Sequence, residues 1–218
     1  MLQHSPHAVG PHFQLITMQQ AQQWALQLLA DIAAAIRPGM TEQAANALAR
    51  QLLDAGGAEQ HWHPPIIRFG QNTCKIYSEA SAPDTILGDD DVFFIDIGPV
   101  WQGHEADVGA TYAVGASTAA HAIVRAVDLV FEQVAAKWRQ GVAGTELYAF
   151  AEESARQQGY QLNHQIKGHR VGDFPHKLYA SGTLGDLAGD AIPGIWVLEI
   201  QLKHPTLPIG AFKEQVLF

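Results

Sequence analysis

The chain has 218 residues, 47% of them hydrophobic, which is enough for one sizeable core and excludes a disordered protein. Its 22 Asp and Glu residues outnumber its 13 Lys and Arg residues, and the formal net charge of -9 argues against a nucleic-acid surface and against an anionic membrane as partner. Two divalent cations would bring that charge to about -5, so part of the acidity is compatible with bound metal.

The cysteine count and the N-terminus bear on location. Cys74 is the only cysteine and cannot form an internal disulfide, which fits a reducing compartment. The first residues carry neither a basic nor an apolar targeting region, and no run of about 18 apolar residues occurs. We therefore expect a soluble, cytoplasmic protein. Residues 1–15, with scattered His and Pro, are predicted to be a flexible arm, and residues 16–218 a single domain.

Four segments have the spacing of apolar residues that is typical of amphipathic helices. The first covers residues 17–36 and stops at an Arg-Pro-Gly sequence, and the second covers 41–55, with Glu42 in its first turn and two glycines at its end. Two more helices are predicted over residues 118–139 and 144–158.

The remaining apolar segments are predicted to be extended. Strands are expected over residues 66–69, 92–95, 106–114, 196–200 and 212–217, and an extended region over 160–179. Gly98-Pro99 and Gln102-Gly103 are interpreted as the turns that fold the chain back from 92–95 to 106–114. His61 and His63 form an HxH pair that could chelate, but the following Pro64-Pro65 favours a structural or surface role.

Acidic residues lie inside several of these apolar segments. Asp96 ends one strand and Asp107 lies in its partner, while Glu199 and Glu214 lie in the last two strands. A single Asp would more often cap a turn, but a carboxylate in an apolar strand costs several kcal/mol unless it is paired. Together with His169, these four acids would form an oxygen-rich site that hard divalent cations neutralise. Two ions would use the set better than one, and such a pair activates water as a nucleophile at neutral pH.

At these residues the sequence resembles the pita-bread metallohydrolases, which include methionine aminopeptidases, Xaa-Pro aminopeptidases, prolidases and the metal-free creatinases. The resemblance rests on FIDIG at 94–98, on an Asp eleven residues after Asp96, on GHRVG at 168–172, and on Leu198-Glu199 and KEQVL at 213–217. It implies an α+β fold with a pseudo-twofold, curved antiparallel sheet and helices on the outer face. It also implies a small peptide or dipeptide as substrate and two divalent ions, for which Mn, Co, Fe and Zn are all suitable.

The resemblance further implies roles for individual residues. The metal ligands would be Asp96, Asp107, His169, Glu199 and Glu214, with Asp96 and Glu214 as bridges. Asp107 would complete one metal site, and His169 and Glu199 the other, with Glu199 also acting as a proton shuttle. His176, seven residues after His169, stands where the family keeps a catalytic histidine that contacts substrate.

Two departures from the family pattern predict an altered substrate site. Family peptidases have a histidine seventeen or eighteen residues before the first Asp, whereas this chain has Tyr77, Ser78 or Glu79 in that region. We expect Tyr77 and Ser78 to contact substrate in its place. Glu199 also lacks the usual following proline. A non-catalytic binding module, a creatinase-like hydrolase of C–N bonds, and a homodimer stay open beside the peptidase.

Overall fold

The computed structural model describes residues 5–82 and 84–218. The described residues form one eight-stranded antiparallel sheet with four long helices. The helices are α1 (Leu15–Ala35), α2 (Glu42–Ala55), α3 (Thr118–Trp138) and α4 (Gly144–Gln157). The strands are β1 (Gln60–Phe69), β2 (Val92–Trp101), β3 (His104–Glu105), β4 (Val108–Ala113), β5 (Gln161–Leu162), β6 (His169–Arg170), β7 (Trp196–Lys203) and β8 (Gly210–Val216).

The succession of two helices followed by strands occurs twice along the chain and divides the fold into two halves. In each half two helices precede the strands that they cover, and the sheet order β1-β2-β4-β8-β7-β5 joins the halves where β4 pairs with β8. Helices α1 and α2 share one apolar core with β1, β2 and β4, while α3 and α4 share another with β7 and β8. The predicted α+β pita-bread architecture is therefore confirmed.

The four helices form where the apolar spacing predicts them, with ends that agree within two residues. Helix α2 begins after Thr41, whose hydroxyl accepts a hydrogen bond from the backbone N–H of Ala44, and this satisfies one of the free donors of the first turn. None of the helices in the described ranges has the length and apolar character that a membrane crossing requires.

The strands differ more from the prediction. Gly98-Pro99 is not a turn, because β2 continues through it to Trp101 and pairs there with β1. The chain reverses at Gln102-Gly103 instead, where both residues have a positive φ. Strand β1 begins at Gln60 rather than at Ile66, and it includes both prolines of the HxH segment, with two irregularities in its pairing to β2. Prolines are tolerated here because β1 is an edge strand.

The described part of the N-terminal arm, residues 5–15, is anchored rather than loose. The carboxylate of Asp173 accepts hydrogen bonds from the backbone N–H groups of Gly10 and His12, at 2.6 and 3.1 Å. The guanidinium of Arg170 donates to the carbonyl of Ala8 at 2.7 Å. Composition alone could not reveal these anchors, because they come from residues about 160 positions away. Residues 1–4 of the predicted arm lie outside the described residues.

Candidate metal centre

The central strands bring three of the predicted acids into one row across the sheet. Asp96 on β2 is opposite Gly109 on β4, Gly109 is opposite Glu214 on β8, and Glu214 is opposite Glu199 on β7. Gly109 leaves the room for this row, since a Cβ there would lie 3.0 Å from a Glu214 carboxylate oxygen and 2.7 Å from the Phe212 ring. The absence of a side chain between the acids lets them share one space.

Asp107 and His169 enter the same space from the sides of this row. Asp107 directly precedes β4, and His169 lies on β6, which pairs with β7. The His169 Nε2 atom is 2.9 Å from Asp107 Oδ2. All five predicted ligands line a cavity of about 500 Å³. The structure thus brings together Asp96, Asp107, His169, Glu199 and Glu214.

A second histidine, His63, joins the cluster although the sequence favoured a structural or surface role for it. Its Nε2 atom lies 3.4 Å from Asp96 Oδ1 and 3.4 Å from Asp107 Oδ1. The side chains fall into two overlapping groups whose possible ligand atoms lie within 4.8 Å of one another, one with His63, Asp96 and Asp107, the other with Asp107, His169 and Glu214. Asp107 belongs to both, and Glu199 lies in neither of these two groups of described residues.

The electrostatics of the cluster show a shortage of positive charge. Burial, reinforced by the neighbouring carboxylates, raises the pKa of Glu214 well above its usual range. Burial and the charges of Asp107 and Asp96 also raise the pKa of Glu199, to about 7, against the opposing effect of His169. Burial raises the pKa of Asp96 too. These carboxyl groups take up protons more readily than ordinary ones where a cation is lacking.

The pKa shifts of the two imidazoles and of Asp107 favour their charged forms. Burial alone would lower the pKa of His63 and of His169, but their carboxylate neighbours outweigh it and raise these pKa values to about 9 and about 10. Burial would likewise raise the pKa of Asp107, yet the contacts with both imidazoles lower it. Asp107 is therefore the acid of the cluster whose pKa the two histidines bring below its usual value.

Three carboxylate oxygens in the cluster have no hydrogen-bond partner in the described part of the chain. They are buried, and they belong to Asp96 (Oδ1), Asp107 (Oδ2) and Glu214 (Oε1). The contact between His169 and Asp107 is close but lacks hydrogen-bond alignment. Buried polar atoms without partners are costly and rare in native proteins, and oxygens that converge in this way are the donors that divalent cations take. The donor set fits a metal centre.

His176 lies in the wall of the same cavity and is fixed by Glu105. Its Nδ1 is 2.5 Å from Glu105 Oε2, and Glu105 also accepts hydrogen bonds from the backbone N–H groups of Gly172 and His176. Glu105 is 1% exposed, so this contact is shielded from water. Sequence analysis did not identify Glu105, although its place two residues before Asp107 on the same turn was visible.

The residues predicted to contact substrate lie at the mouth of the site. Tyr77 is 65% exposed and lines both the metal cavity and an adjoining cavity of about 340 Å³. Ser78 is exposed and lines only the adjoining one. Trp62, which sequence analysis also missed, packs edge-on against the rings of His63, His169 and His176. Its indole N–H donates to the carbonyl of Ala106 at 3.0 Å.

Comparison with known protein families places the chain. The model of metallopeptidase family M24 matches residues 17–188, which is more than three quarters of the sequence. The chain belongs to metallopeptidase family M24. The matched range includes Asp96, Asp107, His169 and His176, and the two glutamates of the cluster follow it. No curated protein matches the chain.

Solved structures share the M24 fold at low sequence identity. Zinc-substituted aminopeptidase P from E. coli, in complex with product, has a TM-score of 0.77 at 18% identity over 96% of this chain and 53% of its own length. An X-Pro aminopeptidase from Thermotoga maritima MSB8 has a TM-score of 0.73 at 23% identity, over 93% of this chain and 58% of its own length. A prolidase from Pyrococcus furiosus has a TM-score of 0.75 at 19% identity, over 97% of this chain and 62% of its own length. At these identities the likeness concerns the fold, and this chain spans between half and two thirds of each of those proteins.

Proposed function

We propose that the chain is a dinuclear metal-dependent peptidase that acts on a peptide N-terminus or on a dipeptide. The observation that carries this proposal is the convergence of four carboxylates, three with a buried and unpartnered oxygen, around two imidazoles in one cavity. Membership of family M24 supports metal-dependent peptide hydrolysis as the chemistry.

The proposed ligands are Asp96, Asp107, His169, Glu199 and Glu214. Carboxylates with a minority of imidazole suit Mn, Co, Fe and Zn, and the proposal holds for any of these metals. When bound, two such ions supply Lewis-acid activation of the scissile carbonyl and of the attacking water. Their charge would also oppose the burial and the repulsion that raise the pKa values of Glu199 and Glu214.

Two residues of the chain are suited to move protons. Burial raises the pKa of Glu199 to about 7 in the metal-free protein, and its carboxylate lines the cavity, where it would take a proton from one reacting group and return it to another. His176 is held through Nδ1 by Glu105, which leaves its other nitrogen for a group in the cavity that it lines. In this role His176 would hold a hydrogen bond to the scissile group while Glu105 fixes the ring.

The substrate side of the site differs from the family pattern, and we propose an altered specificity. The position of the usual upstream histidine falls at Tyr77 and Ser78, which lie exposed at the rim of the cavities. One missing hydrogen-bond donor to the reacting group typically costs about 10²-fold or more in rate. We therefore expect weak cleavage of simple Met-Xaa and Xaa-Pro peptides compared with the true substrate.

The test is a metal-reconstituted assay with matched variants. The protein is stripped of metal, reloaded separately with Mn, Co, Fe and Zn, and offered Met-Xaa, Xaa-Pro and unselected dipeptides. We expect metal-dependent release of amino acid, lost in Asp96→Asn and Glu214→Gln, and retained in Asp54→Asn, an exposed acid on α2 outside the cluster. Two bound ions without turnover of any peptide would favour the binding module, and no bound metal would contradict the proposal.

A further inference from the structure

His63 occupies a position in the metal centre that the five predicted ligands do not explain. It is 8% exposed, and its Nε2 faces one oxygen of Asp96 and one of Asp107 at the same distance, 3.4 Å. On the other side of Asp107, His169 Nε2 faces the second oxygen. Asp107 is thus placed between two imidazoles.

The backbone of β1 is irregular in a way that aims His63 into the site. Residues 61 and 63 of a regular strand would point to the same face. Here the pairing register shifts between His61 and His63, and again between His63 and Ile66. As a result His61 contacts Asp54 of α2, at 2.7 Å, while His63 reaches the carboxylates. Bulges beside active sites commonly redirect a side chain in this way.

The neighbouring strand leaves space for the His63 ring. A Cβ on Gly98 of β2 would lie 2.3 Å from His63 Nε2 and 2.6 Å from the indole nitrogen of Trp62. The Trp62 ring packs edge-on against His63 with ring centres 4.4 Å apart. Gly98 and Trp62 together hold the imidazole in one orientation.

The distances fit a shared ion better than a direct ion pair. A hydrogen bond between an imidazolium and a carboxylate closes to about 2.7–2.9 Å. Two donor atoms that each lie about 2.1 Å from one ion are separated by about 3.0 Å at a right angle and about 3.4 Å at the tetrahedral angle. His63 stands 3.4 Å from both carboxylates, which is the separation expected of ligands around one ion.

The other nitrogen of His63 is engaged as in a metal ligand. Nδ1 lies 2.8 Å from the carbonyl oxygen of Pro64, just as Nδ1 of His169 lies 3.0 Å from that of Arg170. Such a bond assigns the hydrogen to Nδ1 and presents the Nε2 lone pair to a cation. The two histidines therefore have matching environments on the two sides of Asp107.

We propose that His63 is a sixth ligand of the metal pair, so that each ion has one imidazole, His63 for one and His169 for the other. This inference rests on the proposed function, since it concerns the same ions. Imidazole suits Zn and Fe better than Mg or Ca, so His63 shifts the preference of its ion away from metals that favour oxygen alone.

The first test measures the binding of Co(II) to metal-free protein by calorimetry and by its visible spectrum. Wild type is expected to bind two ions. In His63→Ala one ion should bind as before and the other about 10- to 100-fold more weakly, with a changed spectrum. His61→Ala, two residues away on the same strand, should match wild type. His63→Gln, which fills the space over Gly98, should weaken the binding of the same ion, and it controls for misfolding caused by an emptied site.

The second test counts the coordinated imidazoles directly. In proton NMR of the Co(II)-loaded protein, each coordinated ring gives a strongly shifted, exchangeable Nδ1–H signal. Two such signals in wild type, one in His63→Gln and two in His176→Gln would support the proposal. Two bound ions with wild-type affinity and an unchanged spectrum in His63→Gln would overturn it and leave the peptidase proposal intact. Failure of wild type to bind two ions would overturn both.

Discussion

The stability of the metal-free protein tests this view of the cluster, because replacing two of its acids with the uncharged amides is expected to have different effects. Asp107 is stabilised as a carboxylate by His63 and His169, at 3.4 and 2.9 Å. Glu214 is 1% exposed, and its pKa is raised well above the usual range by burial and by its acidic neighbours. Glu214 therefore takes up a proton much more readily than an ordinary glutamate, whereas Asp107 is held as a carboxylate.

The magnitudes follow from these contacts. Removing one partner of a buried ion pair costs about 3–5 kcal/mol. Because the His169 side chain is 30% exposed, we take the lower end, about 3 kcal/mol, for Asp107→Asn. Glu214→Gln removes a charge that burial and the acidic neighbours already disfavour and keeps nearly the same side-chain shape, so it is expected to change stability by about 1 kcal/mol or less. For a chain of this size 1 kcal/mol shifts Tm by about 2–4 °C.

The assay is thermal unfolding of the chelator-treated protein at pH 7, followed by circular dichroism. Asp107→Asn is expected to lower Tm by about 6 °C or more, while Glu214→Gln stays within about 4 °C of wild type. Adding Co(II) at 100 times its dissociation constant should stabilise wild type by about 2.7 kcal/mol per ion and both variants less. An Asp107→Asn protein as stable as wild type without metal, or a Glu214→Gln protein that is much less stable, would refute this view of the cluster.

Three further predictions concern pH, positioning and substrate charge. The metal-free protein should lose stability as pH rises from 5 to 9, because the folded-state pKa values of Glu199, His63 and His169 all lie above their unfolded values. Thermal unfolding in the presence of chelator across this pH range tests the prediction, and a Tm that rises with pH would contradict it. Glu105→Gln should lower kcat about 10- to 100-fold with metal content unchanged, because Glu105 holds the His176 ring and the backbone beside it and is not one of the proposed ligands. Steady-state kinetics beside elemental analysis tests this, and a loss of bound metal would argue against it. The adjoining cavity is lined by Arg68, Lys75 and Lys167, and Arg68 Nε and Nη1 are buried and have no hydrogen-bond partner among the described residues. Dipeptides with a free carboxylate should therefore have a KM about 10-fold below that of their amides. Arg68→Met should remove that preference, and equal KM values in wild type would count against the assignment.

Most elements, and the five predicted ligands that the structure brings to one cavity, could be picked out in the sequence because their signals are local. An acid in an apolar strand is recognisable by its cost, and the helices follow from a repeat of apolar residues. The continuous strand through Gly98-Pro99 could not be predicted, because glycine and proline usually indicate a turn. Gly98 is there to leave space for His63, a reason that becomes visible only when β1 is placed beside β2.

For a related reason the sequence favoured a structural or surface role for His63, and it gave no indication of Glu105. The alternation of side chains in a strand treats His61 and His63 as equivalent, and the register shift that separates them depends on pairing with β2. Glu105 can fix His176 only because the chain brings the backbone N–H groups of Gly172 and His176 to its carboxylate. Contacts between residues 44 to 71 positions apart leave little trace in local sequence patterns.

The central claim, that this cluster holds two divalent ions, is tested most directly by anomalous X-ray diffraction from crystals of the protein loaded with Co or Mn. Two anomalous peaks are expected about 3.5–4 Å apart, one on each side of Asp107, within reach of Asp96, His169, Glu199 and Glu214. Data from fully loaded crystals with no peak in this cavity, or with metal bound only elsewhere on the surface, would contradict the account.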